Sequence, residues 1–319
     1  EGGVGGVDLY VGGVEHAVLH LLYARFWHKV LYDLGHVSGP EPFQRLYNQG
    51  YIQAAAYQDK RGVYVDAEDV VESDGNYFYQ ESPVTRTFGK MGKSLKNSVT
   101  PDDMYSAYGA DTLRLYEMFM GPLDQDRPWE TKSVIGSHRL LQRVWRNLID
   151  ESTGAATVID SPPSDALQRM LHRTIAAVAE AMESLRFNSA IARITELNNE
   201  LSRRAEPVSR ELAETLILML GPLVPHIAEE LWKRIGNTNS IVHTRFPEAD
   251  PKFLLDELAE LPVQINGKVR SRIVVATGSH EEALQEAALS DERIAELLRG
   301  KEIRKVIVIP DKLVNIVAS

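Results

Sequence analysis

The chain has 319 residues, a formal net charge of −10 and no cysteine. This length suggests two or three domains, and 44% hydrophobic with 25% charged residues is typical of a globular protein. Disulfides and thiolate metal sites are excluded, and no run of 18 apolar residues predicts a membrane span. The negative charge argues against nucleic-acid binding through net charge, although local basic surfaces remain able to bind RNA. We therefore expect a cytoplasmic protein.

The first elements predict an α/β unit. DLYV reads as a short strand that ends in two glycines, and an almost wholly apolar stretch predicts a buried helix over 14–34. Residues 41–48 are predicted as a short helix, and 50–80 as short strands and turns. The opening EGGVGG has no initiator Met, which indicates a fragment of a longer protein.

The middle of the chain predicts a helical bundle. Thr100 and Pro101 form a strong helix start, because Thr caps the free amides and Pro fits the first helical position. A second start lies at Gly109. Turn residues then separate five predicted helices, over 131–152, 164–185, 188–204, 207–220 and 223–235. Five helices with short connections predict an antiparallel bundle.

The last part predicts a small α/β domain, linked to the bundle by residues 251–261. In VQINGKVRSRIVV, Asn266-Gly267 between alternating strands predicts a two-residue hairpin turn. A helical stretch over 280–299 follows, and VIVIP and LVNIV are predicted as strands.

The segment GGVEHAVLH is a candidate ligand site. Gly13 allows close backbone approach at the strand end, where ligands bind in doubly wound sheets. Glu15 is placed to accept hydrogen bonds from ribose hydroxyls, or it only complements the charge of the helix start. His16 and His20 have the i, i+4 spacing of a metal pair, but no third ligand is evident. We expect no metal site, with His20 packed in the helix and His16 facing the ligand.

The segment GKMGKSLKNS raises a second question. Lys90, Lys93 and Lys96 lie close together among small and polar residues. A solvated surface loop is one interpretation. A mobile clamp on a polyanion is the other, and spacing alone does not decide between them.

Two basic faces are candidates for RNA binding. Arg139, Arg143 and Arg146 lie three and four residues apart and share one helix face. In the hairpin, alternation predicts one face with Val269, Ile273 and Val275 and the opposite face with Lys268, Arg270 and Arg272. Each basic face either grips a phosphate backbone or is only solvated.

Together these segments resemble the class I aminoacyl-tRNA synthetases, and among them the bacterial leucyl-tRNA synthetases. Lys90-Met91-Gly92-Lys93-Ser94 resembles the Lys-Met-Ser-Lys-Ser motif of the class. GVEH matches the Gly-x-Glu-His of leucine enzymes, where other members usually have Gly-x-Asp-Gln. The segments GPLVPHIAEELW, VQINGKVRSRI and IRKVIVIPDKLVNIV are also similar to the family, so the resemblance extends from about residue 7 to the end.

The resemblance implies ATP-dependent activation of leucine and its transfer to leucine tRNA, with Mg²⁺ accompanying ATP. Lysines on a flexible loop then stabilise the charge that builds on the phosphates in the transition state. By family position, Lys93 is the main catalytic residue and Lys90 supports it. The residues implied to bind ATP are Gly13, Glu15, His16, Met91, Lys93 and Ser94. The residues implied to bind tRNA are those of the two basic faces.

The resemblance also implies a multidomain fold, mainly α with α/β parts. We expect the second half of a class I Rossmann catalytic domain over 1–130, an anticodon-binding-like bundle over 131–250, and a small α/β domain over 251–319. Gly92 replaces the usual Ser of the motif, which puts loop closure in doubt. His-x-Gly-His and the editing domain are missing, so a complementary chain or segment is implied and the chain alone is expected to be inactive.

Three alternatives stay open. The chain is a non-catalytic RNA-binding module, as the missing His-x-Gly-His favours, or it belongs to another class I synthetase, for valine, isoleucine or methionine. A nucleotidyltransferase that shares only the lysine loop is the most remote, because the helical bundle would then be unexplained. The family implies a monomer.

Overall fold

The structure is a computed structural model and describes residues 6–204, 207–254, 258–276, 279–309 and 312–319. The chain divides into two compact units, Glu1–Glu248 and Ala249–Ser319, and each is described by itself. None of the helices in the described ranges is long and apolar enough to cross a membrane.

Among the residues that the structure describes, eight α-helices lie in the first unit and two in the second. Their bounds are α1 His20–Asp33, α2 Pro101–Tyr108, α3 Ala110–Phe119, α4 Val134–Leu148, α5 Asp165–Glu183, α6 Phe187–Arg204, α7 Arg210–Leu220, α8 Pro225–Arg234, α9 Glu281–Ser290 and α10 Glu292–Leu298. The five predicted bundle helices correspond to α4–α8, with ends that differ by up to four residues.

Within the described ranges the strands form three sheets. Their bounds are β1 Val7–Gly13, β2 Phe43–Gln49, β3 Ile52–Gln58, β4 Tyr64–Val65, β5 Val70–Ser73, β6 Asn76–Tyr79, β7 Ser82–Lys90, β8 Arg127–Pro128, β9 Leu258–Ile265, β10 Lys268–Ala276, β11 Ile303–Ile309 and β12 Leu313–Ala318. The short strands predicted over 50–80 are confirmed. Pro310, the last residue of the predicted VIVIP strand, lies outside the described residues.

The first sheet is a parallel pair, β1 and β2, joined through α1. The predicted helix over 41–48 is wrong, because these residues form β2, which pairs with β1 from Val7↔Phe43 to Gly13↔Gln49. The Phe43 ring packs on Tyr10, with ring centroids 5.1 Å apart. Pairing with a strand 36 residues away decides the local structure here, and a short segment does not reveal such pairing by itself.

The helix after β1 starts later than predicted and is not buried. Residues 14–16 form a 3₁₀ turn, and α1 begins only at His20. Leu21 is its one fully buried residue, whereas Leu22, Phe26 and Trp27 are 58%, 60% and 58% exposed. The prediction of a buried helix is wrong for this chain, because most of the large apolar side chains of α1 face water.

The second sheet is mostly antiparallel and leads into the lysine loop. Its strands lie in the order β4-β3-β7-β6-β5, and the two residues of β8 pair with β3. The register Gln53↔Lys90 places the end of β7 beside the start of β3. The lysine loop therefore begins where β7 ends, beside the start of β3 in this sheet.

Two predicted helix starts follow the loop and are confirmed. The Thr100 hydroxyl accepts a hydrogen bond from the amide of Asp103, and Pro101 occupies the first position of α2. Gly109, with φ of +84°, joins α2 to α3, a backbone angle that favours glycine. Asp111 and Arg114 then connect α3 with the start of α8. Asp111 accepts hydrogen bonds from His226 and from the amide of Ile227, and Arg114 donates to the carbonyl of Leu223.

The bundle helices share an apolar core. The fully buried side chains in α4–α8 include Val144, Leu148, Val178, Ile194, Leu197, Leu216, Ile217 and Leu231. They recur at helical spacing on one side of each helix, as an amphipathic helix requires. The helical interpretation of this region is thus confirmed, apart from 149–164, which is mostly irregular.

The second unit is a four-stranded sheet in the order β10-β9-β12-β11. Residues of α9 and α10 pack with buried residues of the sheet in one core. The hairpin turn is confirmed, because Asn266 and Gly267 both have positive φ, 52° and 78°, which suits a two-residue turn of this type. The predicted linker over 251–261 is too long, since β9 begins at Leu258.

The predicted faces of the hairpin are only partly right. A bulge lies between Val269 and Ser271 and interrupts the alternation of side chains. Val269 is therefore 54% exposed, although Ile273 and Val275 are buried as predicted.

Candidate nucleotide site and basic surfaces

Two distant segments meet beside the lysine loop. The turn after β1 carries Glu15, and β7 ends at Lys90, whose Nζ lies 2.8 Å from the Glu15 Oε1 atom. A Cβ on Gly13 would lie 2.3 Å from Glu15 Oε2. The glycine is therefore what lets the Glu15 carboxylate fold back over the end of β1.

The ion pair favours the charged form of both groups. The hydrogen bond from Lys90 lowers the pKa of the Glu15 carboxyl, and the same bond raises the pKa of the Lys90 ammonium. Lys90 Nζ also lies 4.8 Å from the centroid of the Tyr51 ring, within the range of a cation–π contact. Both charged side chains are partly exposed, so water screens the pair and it contributes little to stability.

The lysine loop is tied to the sheet by one buried side chain. Asn97 is 3% exposed. Its Oδ1 accepts a hydrogen bond of 2.9 Å from the Gly92 amide, and its Nδ2 donates one of 3.1 Å to the Ala54 carbonyl. The loop is thus closed on itself and joined to β3 by the same amide group.

Other contacts tie both ends of the loop. The amide of Met91 donates to the Ile52 carbonyl, and that of Ala67 donates to the Lys96 carbonyl. Lys96 Nζ lies 3.3 Å from Asp66. Together with Asn97, these bonds hold the loop at Gly92 and at Lys96. The residues between them, 93–95, are called the free segment because no backbone hydrogen bond among the described residues ties them to a strand.

The free segment presents Lys93. Residues 93–95 form a single 3₁₀ turn, in which Lys93 and Ser94 are exposed. The Lys93 side chain makes no hydrogen bond or ion pair with any residue that the structure describes. Of the loop lysines, Lys93 alone therefore has its charge available for an incoming anion.

His16 and His20 lie near this site. Both are exposed, and their ring centroids are 6.2 Å apart. His20 hydrogen-bonds to the Tyr10 hydroxyl, so the prediction that it packs inside a buried helix is wrong, for the same reason that α1 is exposed. Within the described ranges, no group of three or more His, Cys, Asp or Glu residues is placed to hold a metal ion.

The arginine face of α4 is present as an unpaired basic surface. Arg139 and Arg146 are exposed, and Arg143 is half-buried. Among the described residues none of these three side chains has a hydrogen-bond or ion-pair partner, and Arg143 Nε is buried without one. Other bundle arginines behave differently, as Arg193 shows by pairing with Glu196 at 2.9 Å.

The hairpin of the second unit also presents cations. Lys268, Arg270 and Arg272 are exposed. Arg272 pairs with Glu260 across the hairpin at 3.2 Å. Lys268 and Arg270 are therefore the less restrained of the three charges.

The sequence did not reveal three residues of the loop site: Asn97, Tyr51 and Asp66. Asn97 carried a usable signal, because Asn in a loop readily hydrogen-bonds nearby backbone. Tyr51 and Asp66 carried none, since their contacts with Lys90 and Lys96 join residues 30 or more positions apart.

Known proteins resemble this chain over its whole length. The leucine–tRNA ligase of Saccharopolyspora erythraea is 59% identical over 315 residues, which is 98% of this chain and 33% of the relative. That of Salinispora tropica is 58% identical over 318 residues, or 100% of this chain and 33% of the relative. The family model described as the anticodon-binding domain of tRNA ligase matches residues 166–285.

A solved structure is also similar. It is the LeuRS of Agrobacterium radiobacter K84 in a ternary complex with tRNA and LeuAMS, with a TM-score of 0.72 and 28% identity. The match covers 98% of this chain and 38% of that one. The resemblance to leucyl-tRNA synthetases is thus confirmed, and the chain spans about one third of the length of the curated relatives it matches.

Proposed function

We propose that this chain is the C-terminal third of a leucine–tRNA ligase, and that it supplies the lysine-loop half of the ATP site together with tRNA-binding surfaces. The observation that carries the proposal is the meeting of Glu15 and Lys90 beside an unpaired Lys93. The identity of 57–59% to leucine–tRNA ligases supports leucine rather than valine, isoleucine or methionine as the amino acid.

In the proposed reaction the leucine carboxylate attacks the α-phosphate of ATP, pyrophosphate leaves, and the leucyl group then passes to the terminal adenosine of leucine tRNA. Lys93 stabilises the negative charge that grows on the phosphates as the bond breaks, because its ammonium group has no partner among the described residues. Met91 and Ser94 belong to the same loop and are proposed to contact ATP beside Lys93. Lys90 supports Lys93 from the end of β7.

Glu15 and Gly13 are proposed to hold the ATP ribose, with His16 beside them. The carboxylate of Glu15 can accept hydrogen bonds from two hydroxyls, and the absent side chain of Gly13 lets that carboxylate lie over the strand end. Glu15 is ionised at neutral pH like any Glu, and its lowered pKa extends the ionised range to more acidic pH. Any Mg²⁺ would be bound mainly through the ATP phosphates, since the described residues offer no ready group of protein ligands.

Leucine tRNA is the proposed macromolecular partner, and its phosphates would meet the arginine face of α4 and the hairpin cations Lys268, Arg270 and Arg272. Phosphate contacts of this kind position the RNA without reading its sequence. The chain would consist of a Rossmann half (1–130), a helical bundle (131–250) and a small α/β domain (251–319). The missing catalytic half and editing domain would come from another segment or chain, in an enzyme that works as a monomer in the cytoplasm.

The test uses a chimaera in which these 319 residues replace the matching third of the Saccharopolyspora erythraea ligase. We expect leucine-dependent ATP–pyrophosphate exchange and charging of leucine tRNA. Lys93→Ala lowers the kcat/KM of exchange by about 10²–10³-fold, the usual effect of removing one transition-state donor. Lys60→Ala, which alters an exposed lysine of the β3–β4 loop, is the matched control and leaves exchange unchanged.

The 319 residues alone are expected to bind leucine tRNA without catalysing exchange. A chimaera that charges no tRNA, or a Lys93→Ala variant as active as the control, would refute the proposal. Binding of tRNA by a chain whose chimaera is inactive would instead favour a non-catalytic RNA-binding role.

A further inference from the structure

We propose that Asn97 is the positioning residue of the lysine loop, the group that fixes where Lys93 is presented. The inference rests on the proposed function for its kinetic part, and on the loop geometry alone for the rest. Asn97 is the one side chain of the loop that is fully buried. It touches no proposed ligand, so its role is exerted through the backbone that carries Lys93.

The two bonds of Asn97 act on different parts of the chain. The acceptor Oδ1 binds the amide of Gly92, the residue directly before Lys93, and the donor Nδ2 binds the carbonyl of Ala54 in β3. β3 pairs with β7, the strand that ends at Lys90. Asn97 therefore joins the start of the turn that carries Lys93 to β3, and β3 also pairs with the end of β7.

A second contact fixes the far side of the turn. Leu95 packs over Gly89, where a Cβ would lie 2.5 Å from Leu95 Cδ1. Lys96 adopts a positive φ of 51°, and its carbonyl accepts the amide of Ala67. The chain is thus held on both sides of Lys93, while the lysine side chain itself stays unrestrained.

Only an amide side chain fits the position. Asn97 must accept a hydrogen bond at one atom and donate at the other, within a site that excludes water. Asp has the same shape but carries no donor, and its second oxygen would face the Ala54 carbonyl. The loop therefore requires a neutral amide at this position for its hydrogen-bonding groups, and not only for its size and shape.

The first test is physical and uses the 319-residue chain. Hydrogen exchange of the Gly92 amide is measured in the unaltered chain and in Asn97→Ala, Asn97→Asp and Ser98→Ala. We expect at least a tenfold faster exchange of this amide in Asn97→Ala, with no change in Ser98→Ala, an exposed neighbour. Equal exchange in Asn97→Ala and the unaltered chain would overturn the proposal.

The second test is kinetic and uses the chimaera. Asn97→Ala and Asn97→Asp lower the kcat of ATP–pyrophosphate exchange at least tenfold, while the KM for ATP changes less than threefold. Transfer of leucine from preformed leucyl adenylate to tRNA is unchanged, because that step no longer needs the phosphates clamped. A melting temperature equal to that of Ser98→Ala shows that the variant is folded, and Asn97→Ser, which buries no charge, serves if Asn97→Ala is not.

A double-mutant cycle separates positioning from a general structural role. If Asn97 acts through Lys93, the variant with both Asn97→Ala and Lys93→Ala is no slower than Lys93→Ala alone. Effects that multiply would mean that Asn97 acts independently of Lys93, and the proposal would fall. An unaltered chimaera without exchange would count against the proposed function only, since the Gly92 measurement still decides the role of Asn97.

Discussion

The carboxylate of Asp111, in the first turn of α3, accepts the amide of Ile227 at the start of α8 across a separation of 116 residues, at 2.7 Å. Its other oxygen lies 2.8 Å from His226 Nδ1. A negatively charged acceptor is thus placed at the positive end of a helix, where it is stabilising. The helix that follows the lysine loop is joined to the bundle by this contact.

Asp111→Ala is predicted to destabilise the chain by about 1–3 kcal/mol, because it leaves the Ile227 amide and the His226 ring without their partner. Asp111→Asn retains an acceptor and should cost less. Urea unfolding measures both, with Asp69→Asn at an exposed turn as the control. A decrease in stability no greater than that of the control would show that the contact does not stabilise the fold.

Gly92→Ser restores the usual residue of the motif and is predicted to be tolerated. Gly92 has φ of 172°, an extended angle that any residue adopts, and a Cβ there meets nothing within 4 Å. The free energy of unfolding should stay level or rise by up to about 1 kcal/mol, since the unfolded chain loses freedom. Exchange activity should stay within threefold.

The control for Gly92→Ser is Gly109→Ser. A Cβ on Gly109 is also free of close neighbours, but φ is +84°. The two positions share open space around a Cβ and differ in backbone angle, so only Gly109→Ser should be less stable than the unaltered chain. Equal destabilisation by both would contradict the explanation.

Glu41 is predicted to stay ionised well below pH 4.5. Arg25 donates two hydrogen bonds to it and Lys29 forms an ion pair at 2.8 Å, which lowers the pKa of Glu41 from 4.5 to about 2. Because the folded pKa is the lower one, the stabilising contribution is complete above pH 4.5 and is lost as the pH falls through about 2.

The measurement is the carboxyl titration of Glu41 by NMR, combined with unfolding of Glu41→Gln at several pH values. The difference in unfolding free energy between the unaltered chain and Glu41→Gln should be constant above pH 4.5 and shrink toward pH 2. Glu68→Gln, at an exposed carboxylate, is the control. A Glu41 titration midpoint near 4.5 would show that the two cations do not hold this group.

The arginine face of α4 is predicted to bind phosphates. Replacing Arg139, Arg143 and Arg146 by Ala should weaken tRNA binding and reduce the slope of log K against log salt by about 0.7–0.9 for each phosphate that is no longer neutralised. Filter binding of leucine tRNA to the 319-residue chain measures this at several salt concentrations. Arg193→Ala removes an arginine already paired with Glu196 and should leave the slope unchanged. An unchanged slope in the triple variant would exclude this face as a phosphate site.

Local chemistry was predictable from the sequence, and long-range pairing was not. The Thr100 cap and the Asn266-Gly267 turn were predicted correctly, because each depends on a few adjacent residues. Residues 41–48 were predicted as a helix, whereas 43–49 form a strand through their pairing with β1. For the same reason, Glu15 and Lys90 were each proposed as site residues while their contact across 75 positions was not foreseen.

The uncovered side of α1 affects how the chain responds to heat and denaturant. Leu22, Phe26 and Trp27 already face water in the folded state, so unfolding transfers less new apolar surface to solvent than is usual for 319 residues. Both the heat-capacity increment and the denaturant m-value scale with that newly exposed area. The curve of unfolding free energy against temperature, measured by calorimetry, is consequently flatter for this chain than for a typical protein of the same length.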